Sequence, residues 1–558
     1  MRKNISLILL TVIVTLGFIF RFINLTDTPA GFNWDEASVG YNAYSLLLTG
    51  KDEFGRSWPI FIESFGDFKT GLYSMMLVPI INCLGLNVFS VRVLNVFIGT
   101  SLIIAGYFLG KQYFKRTTEA LILAGLLAFS PLAIHLSRFT LEWYAALPLF
   151  VTGVGLLIHE KKFSWRLILA TVLLGFSLYW YHSLRLILPF FLFSYFLIYR
   201  SQLLKEKKIF ILSLVVGLLS ITPLLIAFKQ NNILTRPQAV AIFNDSEQQR
   251  LQTESLYRFT TASVPLRRIL ANKGVYYLQE IAYRYLGHFS PEFLFFGTDA
   301  TPRISIHQVG KLQLVALPFL IIGFAEVLKK RSKENLLILS WVFLAPLPAS
   351  LTTDAPHGLR SLLLLPVLLL IVVIGLSRVH LYFKKHWSST SVTLMEAFIF
   401  LVFMANFLSQ ISHYFLFYAE ETTSYWQADQ QEMVHKLNLY KDQYQQVLVS
   451  TDDGQPYIFI AFFTPINPLE FQQAIKNQQQ IFNSRVNQLG NLIFKTIHSE
   501  DYCLPNTLII TKNFPVVKNL KPIATVYLPN RWHEPKESFY FFETDNPLIR
   551  SQLCPVEK

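Results

Sequence analysis

Apolar runs of about 18–22 residues recur through the first three quarters of the chain, each long enough to cross a ~30 Å hydrocarbon layer. This one feature limits the fold to a polytopic helical membrane protein. Only 15% of residues are charged and 52% are apolar, far from the balance of an ordinary soluble domain. The formal net charge of +13 is therefore no sign of nucleic acid as a partner. Lys and Arg collect in cytoplasmic connections of such chains because positive loops resist translocation.

The basic clusters fall on every second connection. They include Lys111, Lys115, Arg116, Lys161, Lys162, Arg166, Lys205, Lys207, Lys208, Lys329, Lys330, Arg331, Lys384 and Lys385. The opposite connections hold single arginines: Arg138, Arg185 and Arg360. This alternation predicts about eleven spans, with the N-terminus inside and the C-terminus outside. It requires segment 71–86, interrupted by Pro79 and Gly85, to be non-crossing or re-entrant. The first run, Ile5 to Ile23, lacks a small-residue cleavage site and reads as a retained span. The predicted domains are a membrane domain, 1–411, with external loops 24–87 and 229–311, and a soluble extracytoplasmic domain, 412–558.

That tail changes character. "QVLVST", "YIFIAFF", "NLIFKTI", "TLIITK", "ATVYLP" and "SFYFFET" read as strands bounded by turn residues, and 427–440 and 468–482 as helices, giving a small α/β domain. Cys503 and Cys554 lie in it and are available to pair if it sits in an oxidising compartment.

Chemistry concentrates on the predicted external side. "GFNWDEASVGYNAY", 31–44, places Asp35 and Glu36 next to the membrane. Asn33 and Glu36 have the spacing of a capping box for a helix over about 34–48 closed by Gly50, which leaves Asp35 to face a cleft. Tyr41, Tyr44 and Leu46–Leu48 give that helix an apolar face suited to a membrane surface. "ESFGDFKTGLY", 63–73, adds Glu63, Asp67, Lys69 and Tyr73. Lys69 alone reads as a snorkelling anchor, yet a cation at that depth also meets lipid phosphate.

"IHLSRFTLEW" supplies His135, Arg138 and Glu142, the last two at the i,i+4 spacing of a helical ion pair. In 283–310, His288, Glu292, Asp299, Arg303 and His307 are interleaved with aromatics, at a spacing that matches no compact metal-ligand motif. "DAPHGLRS" places His357 and Arg360 at the outer end of a span. No Walker A loop, G-x-S-x-G elbow or C-x-x-C pair occurs, so nucleotide-driven transport has no support.

In their order and placement, the "DE" pair, "GDFKTGLY" with "FSVRVLNVFIGT", "SPLAIHLSRFTLE", "HFSPEFLFFGTDATPR", "PHGLRSLLLLP" and "YFLFYAEETTSYWQ" resemble a known class. It is that of GT-C membrane glycosyltransferases, in the bacterial branch related to protein O-mannosyltransferases and aminoarabinose transferases. The resemblance spans nearly the whole chain. It implies a GT-C-like fold in a bacterial plasma membrane and a polyprenyl-phosphate-linked sugar as donor. The acceptor hydroxyl, on protein, lipid or glycan, is external, and direct displacement would invert the anomeric centre. The family's first external acid is catalytic and matches Asp35, with Glu36 beside it.

Lys69, Arg138, Arg303, His357 and Arg360 are the expected donor phosphate ligands, because developing phosphate charge needs cations or hydrogen-bond donors. Glu142 would orient the acceptor or a divalent cation, and His135, His288, Tyr73 and Asp67 are further candidates. The family's "K-P-P-L-Y" appears here as "KTGLY", without either proline. Two other classes stay open on sequence: a non-catalytic polyprenyl-phosphate-binding assembly subunit, and a lipid or solute transporter.

Overall fold

The computed structural model describes the chain except residues 1, 159–164, 231–240, 245–249, 252, 256–263, 266–267, 269–271, 298, 300, 477, 479–485, 518–519, 530–533 and 555–558. Lys161, Lys162, much of the external loop 229–311 and the end of the predicted helix 468–482 lie outside the described residues. The chain forms two compact units. One comprises Met1–Ile23, Val96–Ser137 and Glu142–Tyr414; the other comprises Asn24–Asn95, Arg138–Leu141 and Phe415–Lys558.

Among the described residues, six helices are long and apolar enough to cross a membrane: Asn4–Phe22, Val88–Phe114, His182–Leu203, Lys207–Lys229, Leu364–His386 and Ser389–Glu421. Four shorter apolar helices accompany them: Gly71–Leu84, Thr117–Ala128, Glu142–Ile158 and Trp165–Trp180. This is a multi-pass membrane fold. Outward side chains such as Leu7, Leu218 and Phe398, each more than 60% exposed, make an apolar surface that suits lipid and not water. Two apolar runs of the sequence are broken near prolines; before Pro131 the chain at Ser130 is extended, the conformation a following proline favours. Run 119–134 divides into Thr117–Ala128 and Pro131–Leu136, and run 336–350 into Lys333–Leu344 and Leu347–Ser350. In the helical unit, the buried Arg21 donates to the carbonyls of Gly17, Leu127 and Ala128, and so satisfies the C-terminal end of helix Thr117–Ala128.

The second unit combines the first external loop with the tail. Residues 24–95 and the chain from Phe415 onward fold together in this unit. Helix Trp34–Thr49 packs against helices Gly71–Leu84, Pro456–Phe463 and Pro468–Ile475. Of the apolar face expected to lie on a membrane surface, Tyr41 and Leu46 are buried inside the unit, Tyr44 and Leu47 are half-buried and Leu48 is exposed.

A hairpin of β1 (Phe61–Ser64) and β2 (Asp67–Thr70) follows. The tail sheet contains β3 (Gln446–Ser450), β4 (Gln488–Leu489), β5 (Leu492–Lys495), β6 (Thr507–Thr511), β7 (Ala524–Leu528) and β8 (Lys536–Glu543), in the order β4-β5-β3-β6-β8-β7. β3 is parallel to both β5 and β6, and the other pairs are antiparallel. "YIFIAFF" is helix Pro456–Phe463, not a strand. Its short, unbroken apolar run does not distinguish a buried strand from a buried helix. Two facts decide it: proline suits the first helical position, and parallel β3 and β5 require a crossover between them.

Cys503 and Cys554 form a disulfide, with Cα atoms 5.5 Å apart across 51 residues of sequence. It closes the tail core of Leu448, Ile509, Phe542 and Ile549 around Tyr502. Cys503→Ser should lower the thermal stability of the tail by roughly 2–4 kcal/mol, the loop-closure constraint removed from the unfolded chain. Melting of the full chain with and without reductant tests this; a wild type insensitive to reductant would contradict it.

Candidate active site

Helix Trp34–Thr49 begins and ends as its sequence predicts. The Asn33 side chain accepts the backbone N–H groups of Asp35 and Glu36 at 2.8 and 3.2 Å, and Gly50 closes the helix with φ 67°. Glu36, however, does not close a capping box. Its carboxylate takes two parallel bonds from Arg92, Nε to Oε1 and Nη2 to Oε2, both at 2.9 Å. The Thr140 N–H adds a third at 2.9 Å, and both charged side chains are fully buried. Arg92 also donates to the carbonyls of Leu25, Pro29 and Gly31. Glu36 thus ties the helix start to the chain at 25–31 and to Thr140, and is shielded from solvent.

Asp35 has a different setting. Its carboxyl is 35% exposed and ion-pairs with Lys69, whose own side chain is 6% exposed and lies 5.0 Å from the Phe65 ring. The hairpin sets this pairing. Phe65 and Gly66, with φ of 55° and 76°, make a two-residue turn of the kind that joins tightly twisted strands. Ser64 then opposes Asp67, and Ile62 opposes Lys69. Directly opposed residues share a face, so Lys69 and Ser64 both point to the helix. Helix positions 35, 38 and 42 form one stripe, at i, i+3 and i+7. Asp35 meets Lys69, the Ser38 and Ser64 hydroxyls lie 2.8 Å apart, and Asn42 Nδ2 donates to Glu53 Oε1 at 2.9 Å. On the hairpin's other face, Glu63 pairs with Arg56, which lies over the Phe68 ring at 5.6 Å.

Asp67 heads β2, its carboxylate accepting the Phe68 N–H at 2.7 Å, and Tyr73 is fully buried one turn into the next helix. At Gly71 the N–H donates to Ile60 O at 2.7 Å, and a Cβ would lie 2.1 Å from Pro59 O. Proline can neither make that bond nor fit there, so the local backbone requires glycine at position 71.

Arg138 is also fully buried. It donates to the carbonyls of Asn24 and Thr28 and stacks at 4.8 Å on Phe415. The helical turn at 131–136 ends before it and Glu142 opens a separate short turn, Glu142–Ala145, so the expected i,i+4 pair has no helix to form on.

The helical unit carries its own polar cluster. His135 is fully buried between the Tyr414 hydroxyl, 3.2 Å from Nδ1, and the Arg303 carbonyl, 2.8 Å from Nε2. Arg303 itself lies half-buried in the turn Pro302–Ile304. His288 Nδ1 faces the Arg284 carbonyl at 2.8 Å, and its Nε2 accepts the His357 N–H at 3.2 Å. Burial pushes the pKa of both His288 and His357 down to about 4, with neighbouring Arg360 adding to the effect on His357. Both are therefore neutral near pH 7 and bring hydrogen bonds, not charge. Arg360 donates to Thr352 Oγ1 at 2.6 Å and lies 3.5 Å from Asp354. Lys311, 2.8 Å from Asp299, forms the buried ion pair of this cluster, and Asp299 also accepts the Gly358 N–H at 2.7 Å.

Sequence reasoning brought Asp35 with Lys69, and His288 with His357 and Arg360, to notice. It missed Arg92, Lys311, Asn42 and Glu53. The first sits inside an apolar run, and the last two are visible only as partners across a loop.

No known family pattern matches the sequence, and no curated protein matches it. Solved structures do. ArnT from Cupriavidus metallidurans bound to undecaprenyl phosphate is 10% identical, with a TM-score of 0.53 over 96% of this chain and 98% of that one. Its apo form gives a TM-score of 0.52 at 10% identity over 95% and 97%. The archaeal oligosaccharyltransferase AglB from Archaeoglobus fulgidus, in complex with an inhibitory peptide and a dolichol-phosphate, is 13% identical. Its TM-score is 0.50 over 83% of this chain, which spans 64% of that enzyme's length. The chain has the polytopic helical fold of the GT-C glycosyltransferases, carrying a sheet-containing C-terminal domain.

Proposed function

We propose that the protein is an integral membrane glycosyltransferase that moves a sugar from a polyprenyl-phosphate donor to an acceptor hydroxyl on the extracytoplasmic side. The observation that carries this reading is the contrast at the start of helix Trp34–Thr49. Of two adjacent carboxylates, Glu36 is sealed by Arg92, while Asp35 is partly open and pairs with Lys69. The lipid phosphates bound in the structures of similar fold support the donor class. The Cys503–Cys554 disulfide and the alternation of basic connections support an external tail.

The chemistry follows from these groups. The acceptor oxygen attacks the anomeric carbon as the bond from that carbon to the phosphate oxygen breaks, with inversion. Asp35 takes the acceptor's proton, and the polyprenyl phosphate departs with the electron pair. Lys69 holds the phosphate and stabilises the charge that develops on it. In the arrangement seen here Lys69 occupies a carboxylate oxygen of Asp35. A donor phosphate that draws the ammonium away would uncover that oxygen for the acceptor, so donor binding prepares the base. Arg138 is proposed as a support for the loop at 24–28, through its bonds to the carbonyls of Asn24 and Thr28.

The test gives membranes carrying the wild type or Lys69→Met a panel of labelled polyprenyl-phosphate sugars, with lysate supplying acceptors. One sugar should leave its lipid with the wild type, and Lys69→Met should raise the donor KM by about tenfold or more, the loss of one charge-assisted contact of ~1.5–3 kcal/mol. No consumption of any donor by the wild type would overturn the reading in favour of a lipid-binding subunit or a transporter.

A further inference from the structure

One acidic group bonded to the helix that carries Asp35 has no part in this mechanism. Glu53 is completely enclosed, at 0% exposure. It is clamped to the helix that carries Asp35 by two bonds to Asn42: Nδ2 to Oε1 at 2.9 Å, and the Glu53 N–H to Asn42 Oδ1 at 2.9 Å. Its Oε2 is buried and has no hydrogen-bond partner among the described residues.

The groups that act on it come from every side. Tyr41 is on the same helix as Asn42, Asp52 precedes Glu53 in the loop, Glu63 and Lys69 are on the hairpin, and Tyr457 is on the tail helix. Lys69 is the one cation among them; it acts through space, and its hydrogen bond goes to Asp35. A carboxylate in such a place would be buried without a bonded cation, which favours the neutral acid; of its acidic neighbours, Glu63 is ion-paired with Arg56 and Asp52 is itself pushed up by burial, with Arg56 pulling against that rise.

We propose that Glu53 is held as a neutral carboxylic acid in the working enzyme, and that its ionisation sets the alkaline limit of donor binding by placing a negative charge beside the lysine that holds the donor phosphate. Glu53 is thus a positioning residue: it touches neither sugar nor phosphate and acts through Lys69. The inference rests on the functional reading above. Burial raises the Glu53 pKa to about 8; the Asn42 hydrogen bond pulls against the rise and Asp52 adds to it. The sign follows. As pH rises through about 8, one negative charge appears near Lys69. The donor is a phosphodiester whose single charge is constant over this range, so its attraction to the site falls and its KM rises.

The experiment measures donor KM and kcat between about pH 6 and about pH 9.5 for the wild type and Glu53→Gln, which keeps the shape of the neutral acid. The wild-type KM should climb roughly tenfold across the alkaline limb with kcat less affected, and the Glu53→Gln KM should stay flat. An equal rise in both would overturn the proposal. A second readout needs no turnover and compares the wild type with Glu53→Gln, which lacks the band if Glu53 is its source and keeps it if Asp52 is. Infrared spectra of the purified full chain should show a protonated carboxyl band at neutral pH that disappears above about pH 9, and absence of such a titrating band would overturn the proposal. If the wild type consumes no donor at any pH, the glycosyltransferase reading fails, and the infrared titration still answers for Glu53.

Discussion

Asp35→Asn is expected to lower kcat for sugar transfer by about 10²–10⁴-fold while leaving the protein folded. The amide is nearly isosteric with the carboxylate but cannot accept the acceptor's proton in the transition state. The fold has less at stake than at a fully buried pair: Asp35 is 35% exposed, the Asn side-chain carbonyl can still accept from Lys69, and the helix start is capped by Asn33 through backbone N–H groups that the substitution does not touch. The partner makes the prediction sharper. Lys69 is 6% exposed and bonded to Asp35, and in the variant it loses its anionic neighbour. Donor phosphate then has no carboxylate to compete with for the ammonium, so donor KM should stay level or fall as kcat collapses. That split separates a proton acceptor from a donor-binding residue, whose loss raises KM. Donor consumption and donor binding on the same membranes decide it. Full activity with Asn at position 35 would remove the proposed base, and a collapse in donor binding would reassign Asp35 to the donor head.

Local signals carried much of this arrangement in the sequence. Asn33 and Gly50 bound the helix because capping chemistry depends on neighbours a few residues away, and both ends are found where the spacing puts them. "QVLVS", "LIFK", "TLIIT", "ATVYL" and "SFYFFE" mark five of the six tail strands because β-branched and aromatic runs between turn residues have few alternatives; the two-residue β4, Gln488–Leu489, has no such run. "YIFIAFF" was not legible in this way: its apolar residues are buried on all sides, and periodicity is silent when no face is polar.

The partners of the two acids were less legible still. Arg92 lies inside the apolar helix Val88–Phe114, 56 residues from Glu36, and no local pattern announces that pair. Nor does sequence show that Asn42 and Glu53, separated by the Gly50 turn, exchange two hydrogen bonds. The "DE" dipeptide therefore reads as a helix cap, a catalytic pair or both. Only the third dimension divides the roles, by burying one carboxylate against a guanidinium and leaving the other within reach of water.

That division makes Glu36 the site of the second large effect, and it should fall on folding. Glu36 and Arg92 are both fully buried, joined by two bonds of 2.9 Å with Thr140 N–H as a third donor. Removing one partner of such a pair leaves an uncompensated charge inside the protein, at a cost of about 3–5 kcal/mol. Glu36→Gln and Arg92→Met should each sharply reduce the amount of folded protein recovered from membranes and lower its melting temperature. Screening by solvent cannot soften the loss, because neither group meets solvent. The double variant Glu36→Leu/Arg92→Met should recover part of the stability, since an apolar pair replaces two charges and leaves neither stranded. Recovery should be incomplete, because Arg92 also serves the carbonyls of Leu25, Pro29 and Gly31, which would then be buried without a donor. If Glu36→Gln instead folds and melts like the wild type but is inactive, Glu36 belongs to the chemistry, and the separation of roles between the two acids is wrong. If both acids behave as expected, Glu36 variants are lost in folding assays and Asp35→Asn only in turnover, although the two side chains leave adjacent residues of one helix.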